Sequence, residues 1–229
     1  KCTESRLTGM RRVIAERMMT SSHGTAPVTI MRTVDITTLM AAREAMKAEP
    51  DVRGEAVPSF NALMLKASAL ALRAHPALNA TYEDGVLYTW EDININMAVA
   101  VEAGLTVPVI RKADKKSVYE INGESKALAK KAEENKLSGE DLAGGTFCVT
   151  NLGMRDVEFS TPIINPPQVA ILGVGAVKPY LTLEDGKVVQ RQQTYLSLTV
   201  DHRIIDGAPG AAFLQTLAEI LQDAEKLLA

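Results

Sequence analysis

Two Asp-Gly pairs, Asp84-Gly85 and Asp185-Gly186, each stand between short runs of β-prone residues. Such pairs accept the positive φ angles that a tight hairpin turn requires, so each predicts two antiparallel neighbours. The same chain also carries long segments of helical period. Helices interleaved with several hairpins predict an α/β sandwich built on a mixed sheet, not a doubly wound parallel one.

The remaining elements follow from periodicity. Met10, Val13, Ile14, Arg17 and Met18 share one helical face after Thr8, a candidate N-cap, with Gly24 and Pro27 as stop signals. Val28 to Ile36 alternates as a strand, and Thr37 or Thr38 can cap a helix to about Ala48. The stretch from Asp51 to Pro58 is polar and loop-like, while Ser59 to His75 is so rich in Ala and Leu that it predicts a buried helix ended by Pro76. Tyr82 to Trp90 is the first hairpin. Ile93 to Val101 reads as one long strand whose Asn94 and Asn96 are expected to be satisfied sheet residues. Residues 104–110 continue as extended chain, and Ser117-Val118-Tyr119-Glu120 is a capping box for a charged helix to about Asn135. Phe147 to Asn151 and Val169 to Val177 are strands separated by an irregular loop to Pro167. Gly173 and Gly175 are not followed by Lys-Ser or Lys-Thr, so they read as positions of close backbone or ligand approach, not as a phosphate loop.

Chemistry concentrates near the C-terminus. Tyr195 to Val200 alternates as a strand, and Phe213, Leu214, Leu217, Ile220, Leu221 and Ala224 repeat at helical spacing beyond Gly207 and Pro209. Between them lies Asp201-His202-Arg203-Ile204-Ile205-Asp206-Gly207, a histidine flanked by carboxylates where a strand can aim it and a loop can admit substrate. By itself this spacing fits a structural histidine as well as a catalytic one. His23 and His75 lie far away in the chain and Cys2 and Cys148 lack ligand spacing, which argues against a metal site.

Composition narrows the partners. Of 229 residues, 46% are hydrophobic and only 4% aromatic, which fits a globular domain with an aliphatic core. A net charge of −3 with scattered basic residues argues against nucleic acid or an anionic membrane as partner, and no apolar run reaches bilayer length. Two distant cysteines suit a reducing compartment. The chain starts at Lys1, as a fragment or a processed product would.

Several ordered motifs together carry a resemblance: Leu7 to Arg12, Gly104-Leu105-Thr106-Val107-Pro108, Thr150-Asn151-Leu152-Gly153, Phe159 to Pro167 with Val169 to Gly173, and Asp201 to Gly207. Over nearly its whole length the chain resembles the catalytic domain of dihydrolipoyl acyltransferases, the core components of 2-oxo acid dehydrogenase complexes. The resemblance implies a single domain over residues 1–229 with a chloramphenicol-acetyltransferase-like two-layer fold. It implies a homotrimer, assembled into a cubic or larger cage, with sites at subunit interfaces. The implied reaction passes an acyl group between dihydrolipoamide and coenzyme A, without metal and without an acyl enzyme. It makes His202 the thiol base and Thr150 the oxyanion donor, and it makes Asp206 a loop anchor paired with an N-terminal arginine, for which Arg12 is the candidate. Asn151, Gly104 and Gly175 would line the pantetheine arm. Asn151 to Met154 and Gly207-Ala208 look like acetyl-transferring members, from a pyruvate or acetoin dehydrogenase complex, although Thr150 also occurs in succinyl-transferring ones. The lipoyl and subunit-binding domains that such proteins carry upstream are absent from this chain. Decarboxylase and dihydrolipoyl dehydrogenase components would be its partners, in a bacterial cytoplasm or a mitochondrial matrix. Two alternatives stand beside this reading. The antibiotic-modifying branch tends to have a second histidine where this chain has Asp201, and purely structural core subunits would lack His202. Leu227-Leu228-Ala229 would either contact another trimer or pack on its own subunit.

Overall fold

The computed structural model describes residues 1–48, 56–102 and 104–228. Most of the loop expected at 51–58 lies outside the described residues. The chain opens with helix α1 (Gly9–Gly24), strand β1 (Pro27–Asp35), and helices α2 (Thr37–Ala48) and α3 (Phe60–Ala74). Thr8 makes no side-chain cap, and Thr37 is the first helical residue of α2, its N–H donating to Asp35 Oδ1 at 2.8 Å. Ser59 caps α3 by accepting from the Ala62 N–H at 3.1 Å, as small polar caps do.

The first Asp-Gly pair joins β2 (Ala80–Glu83) to β3 (Val86–Thr89), with Asp84 and Gly85 both at positive φ. The strand expected from Ile93 to Val101 is broken into β4 (Ile95–Met97) and β5 (Val99–Val101). Here β4 stays in the main sheet, whereas β5 leaves it to form a two-stranded ribbon with β6 (Gly104–Thr106). Strand β7 (Val109–Ile110), helices α4 (Val118–Glu133) and α5 (Gly139–Leu142), and strand β8 (Phe147–Asn151) follow. The predicted capping box of α4 is formed, with the Glu120 N–H donating to Ser117 Oγ and the Ser117 N–H to the Glu120 carboxylate.

Strands β9 (Ala170–Glu184) and β10 (Lys187–Asp201) are fifteen residues each and turn at Asp185-Gly186. Both run well past their expected ends. Pro179 is tolerated inside β9 because β8 pairs with β9 only over residues 171–174, so Pro179 lies where one side of β9 has no ladder partner in the sheet. Helices α6 (Gly207–Gln222) and α7 (Ala224–Leu228) close the chain.

The sheet order is β1-β10-β9-β8-β4-β7, with β9, β8 and β4 parallel and the other pairings antiparallel. Alternation sends the two faces of each strand to different environments. One face, carrying Ile95, Phe147, Val149, Leu172, Leu198 and Val200, packs under the helices against Leu63, Phe213 and Leu217. The other face carries Asn96, Cys148, Thr150, Ile171, Ser197, Thr199 and Asp201. Its apolar cover within one chain is slight, with Ile164 and Val107 packed on Cys148 and Ile171. Leu227 is fully buried in the helical core, so within the described residues the C-terminal helix packs on its own subunit.

Candidate active site

His202 is the first residue past β10. Its backbone N–H donates to the Ala26 carbonyl at 2.8 Å, which ties the end of β10 to the segment entering β1. The preceding residue, Asp201, is 2% exposed and accepts hydrogen bonds from the Ala26 and Arg203 backbone N–H groups at 3.2 and 3.1 Å. The Arg203 guanidinium forks onto both Asp201 oxygens, with Nη2 at 2.6 Å from Oδ2, and stacks over the Tyr82 ring at 5.0 Å. Burial pushes the Asp201 carboxyl up, but the hydrogen bonds from Arg203 and the two backbone N–H groups outweigh it and hold the group below the usual carboxylate range. The Ile204 and Ile205 N–H groups both donate to the Asp201 carbonyl. The result is a rigid turn that leaves the His202 side chain 43% exposed.

One expected pair is not formed within a single chain. Within one chain Arg12 pairs with Glu16 on the exposed face of α1, not with Asp206. Asp206 is 82% exposed at the start of α6, with Oδ1 3.6 Å from His202 Nδ1. The buried ion pair that anchors the loop is Asp201 with Arg203. The i, i+2 spacing of an acid and an arginine at a strand end was its only trace in the sequence.

Thr150 stands near the end of β8, partly buried, on the face opposite the helices. It is level with Gly173 of β9, which is level with Ser197 of β10, five residues before His202. Two strand intervals and five residues of rise separate the two side chains' backbones by about 19 Å. A hydroxyl that stabilises an oxyanion must lie about 3 Å from it. Thr150 and His202 therefore do not meet within one chain.

The expected pantetheine residues are also dispersed. Gly104, at φ +144°, lies under Ile14 and Arg11 of α1. Asn151 Oδ1 accepts from the Gly153 N–H at 2.9 Å, closing a local turn. Gly175 is buried, and a Cβ there would stand 1.9 Å from the Glu158 carbonyl oxygen, so its lack of a side chain serves backbone packing. Space is found elsewhere: a cleft of about 650 Å³ opens beside the His202 turn, lined by Arg17, Tyr82, Pro167, Gln168, Asp201 and Arg203. A second cleft of about 310 Å³ shares Arg17 and Gln168 and reaches Asn96. Gln168, unremarked in the sequence although it follows Asn165-Pro166-Pro167, is the residue common to both that is buried.

The sheet and its helical layer define a chloramphenicol-acetyltransferase-like fold. A solved chloramphenicol acetyltransferase superposes with a TM-score of 0.57 over 90% of this chain and 94% of its own, at 16% identity, a likeness of fold alone. The family is narrower. The chain belongs to the 2-oxoacid dehydrogenases acyltransferase (catalytic domain) family, whose model matches residues 1–229. It is 40% identical over 228 residues to the dihydrolipoyllysine-residue acetyltransferase component of the acetoin cleaving system of Bacillus subtilis, covering 100% of this chain and 57% of that protein. It is also 40% identical over 224 residues to the succinyltransferase component of the 2-oxoglutarate dehydrogenase complex of Haemophilus influenzae, covering 97% of this chain and 54% of that one. The chain thus spans little more than half the length of these relatives. The solved dihydrolipoamide acetyltransferase of Azotobacter vinelandii matches with a TM-score of 0.92 at 35% identity, over 100% of this chain and 95% of that one.

Proposed function

We propose that this chain is the transferase core of a 2-oxo acid dehydrogenase-type complex and moves an acetyl group between dihydrolipoamide and coenzyme A. Each site is shared between two copies of a homotrimer, with His202 from one and Thr150 from the next. The observation that carries this reading is the separation of those two residues within a chain whose family performs acyl transfer.

A thiol with a pKa near ~8.5 is mostly protonated at neutral pH, and the thiolate is the nucleophile. His202 removes that proton as the sulfur attacks the thioester carbonyl. The Asp206 carboxylate near Nδ1 favours the tautomer with its proton there, which leaves Nε2 free to act as base. The tetrahedral oxyanion accepts a hydrogen bond from the Thr150 hydroxyl. Collapse breaks the original carbon–sulfur bond, and the His202 imidazolium returns its proton to the departing thiolate. One histidine serves both directions and no acyl enzyme forms.

Two relatives of equal identity carry acetyl and succinyl names, so identity does not select the acyl group. The acetyl reading rests on Asn151 to Met154 and on Gly207-Ala208. A solved relative at 34% identity and a TM-score of 0.92 is the cubic core of a pyruvate dehydrogenase multienzyme complex, which supports a trimer-based cage here. Lipoyl and subunit-binding domains would occupy the remaining length of the full protein, with decarboxylase and dihydrolipoyl dehydrogenase as partners in a bacterial cytoplasm or mitochondrial matrix. His202→Ala is expected to lose thioester exchange by at least about 100-fold while keeping its assembly. Near-normal turnover in that variant, assayed with acetyl, succinyl and branched donors, would remove the assignment.

A further inference from the structure

Two side chains and a backbone carbonyl near the His202 turn form a hydrogen-bond relay whose polarity is forced. The Val107 carbonyl can only accept, so the Asn96 group 2.7 Å from it is the amide Nδ2. Asn96 Oδ1 then faces Gln168, and an oxygen acceptor requires the donor Nε2 of Gln168, at 2.5 Å. Gln168 Oε1 is thereby left as an acceptor, and it is buried without a partner. The residue is only 4% exposed and is held by its own backbone, which donates to the Asn165 carbonyl and bridges to Thr81. It cannot turn its oxygen outward without breaking the relay.

Buried acceptors are nearly always paired, and an orphan is costly. The residue that carries this one, Gln168, lines both clefts, with the oxygen itself just beneath the surface. It is also close to the base: the Asp201 N–H donates to the Val169 carbonyl, so Gln168 is one residue from the last rung that leads to His202. We infer that Gln168 is a substrate-binding residue, whose Oε1 accepts a hydrogen bond from an amide N–H on the arm that carries the reacting thiol.

Both thiol carriers of the proposed reaction have such an amide, pantetheine in the bond nearest its thiol and lipoamide at the end of its chain, and the inference rests on that reading. The test compares each carrier with its ester analogue. Dihydrolipoamide is set against dihydrolipoate methyl ester, and pantetheine against an analogue with oxygen in place of the amide nitrogen nearest the thiol. The wild-type assembly should prefer the amide by roughly tenfold in kcat/KM for one of the two carriers, as expected for one neutral hydrogen bond to an otherwise unpaired group. Gln168→Met should reduce that ratio to about one, and the affected pair identifies the arm. Calorimetric binding of the four compounds reads the same preference without turnover, so an inactive protein tests the transferase reading and leaves this one decidable. If Gln168→Met does not assemble, the wild-type ratios alone decide. Ratios near one for both carriers, as a resident water on Oε1 would give, or a preference that survives Gln168→Met, would overturn the inference.

Discussion

Co-assembly of two inactive variants tests the shared site directly. Thr150→Ala removes an oxyanion donor, which typically costs about 100- to 1000-fold, and His202→Ala removes the base, for about 100-fold or more. Either homotrimer should therefore retain about 1% of wild-type activity or less. The register places the two residues about 19 Å apart in one chain, so under the proposed roles an active centre would draw them from two copies. In trimers assembled at random from equal amounts of both variants, a centre works when the copy supplying Thr150 is the His202 variant and the copy supplying His202 is the Thr150 variant. Each condition holds for about half of the copies, so the mixture should regain about one quarter of wild-type activity. Co-expression with two affinity tags and an acetyl-dihydrolipoamide to coenzyme A assay would measure it. The reciprocal mixture, wild type with the double variant, also predicts about one quarter, against about one half for centres complete within one chain. A co-assembled mixture of single variants that stays at the parental level would refute the shared site.

Asp201→Asn keeps the acceptor for Ala26 but turns an amide toward the Arg203 fork, and should cost about 2 kcal/mol once Arg203's exposure is allowed for. That lowers the apparent Tm by about 4–8 °C in thermal unfolding at pH 7. Because the native carboxyl is held below its ordinary value of 3.8, the difference should persist through mildly acid pH and close only as pH falls through the lowered value; an unchanged Tm at pH 7 contradicts the anchor role. Gly175→Ala should destabilise by about 1–3 kcal/mol through its clash with the Glu158 carbonyl, whereas a variant of normal stability with weakened coenzyme A binding would restore Gly175 to the ligand site. Burial pushes the Cys148 thiol up to about 12, so iodoacetamide at pH 8 should label exposed Cys2 and leave Cys148 unmodified in the native protein, by intact mass.

Local chemistry made much of this legible from sequence. The two Asp-Gly turns, the capping box at Ser117 and the alternation of Tyr195 to Val200 each encode their own geometry and appear as expected. Of Asn94 and Asn96, read as satisfied sheet residues, only Asn96 lies in a strand, while the side-chain oxygen and nitrogen of both have partners. What escaped depends on neighbours distant in sequence. Nothing in Ile93 to Val101 shows that its second half prefers residues 104–106 over the main sheet, and Pro179 looks like a strand end until β9 is seen to have a ladder partner there on one side only. Asp201 and Arg203 are close in sequence, yet their pairing matters because the Ala26 N–H and the Tyr82 ring complete it from other elements. Gln168 was invisible for the same reason: its forced polarity arises from Val107 through Asn96.

The second face of the sheet is buried within one chain at Asn96, Cys148, Ile171, Ser197 and Thr199, and opens only toward Thr150. Ser197 and Thr199 are buried there beside Cys148, Ile164 and Ile171, while Thr150 is half-buried and Met31, Phe159 and Ile163 near this face remain exposed. A chain that buries Leu63, Phe213 and Leu217 completely under its helices does not leave large apolar groups outside for want of core-forming residues. Exposed apolar surface of this kind marks an interface. Under the shared-site reading, a neighbouring copy that covers this face would bring its own His202 turn to Thr150, so burial and catalysis would be completed by one contact. The histidine would then be rigidly fixed by its own chain, through Asp201 and Ala26, and brought to its partner by assembly. Such a site would have no activity to lose in the monomer and would gain all its components in one step.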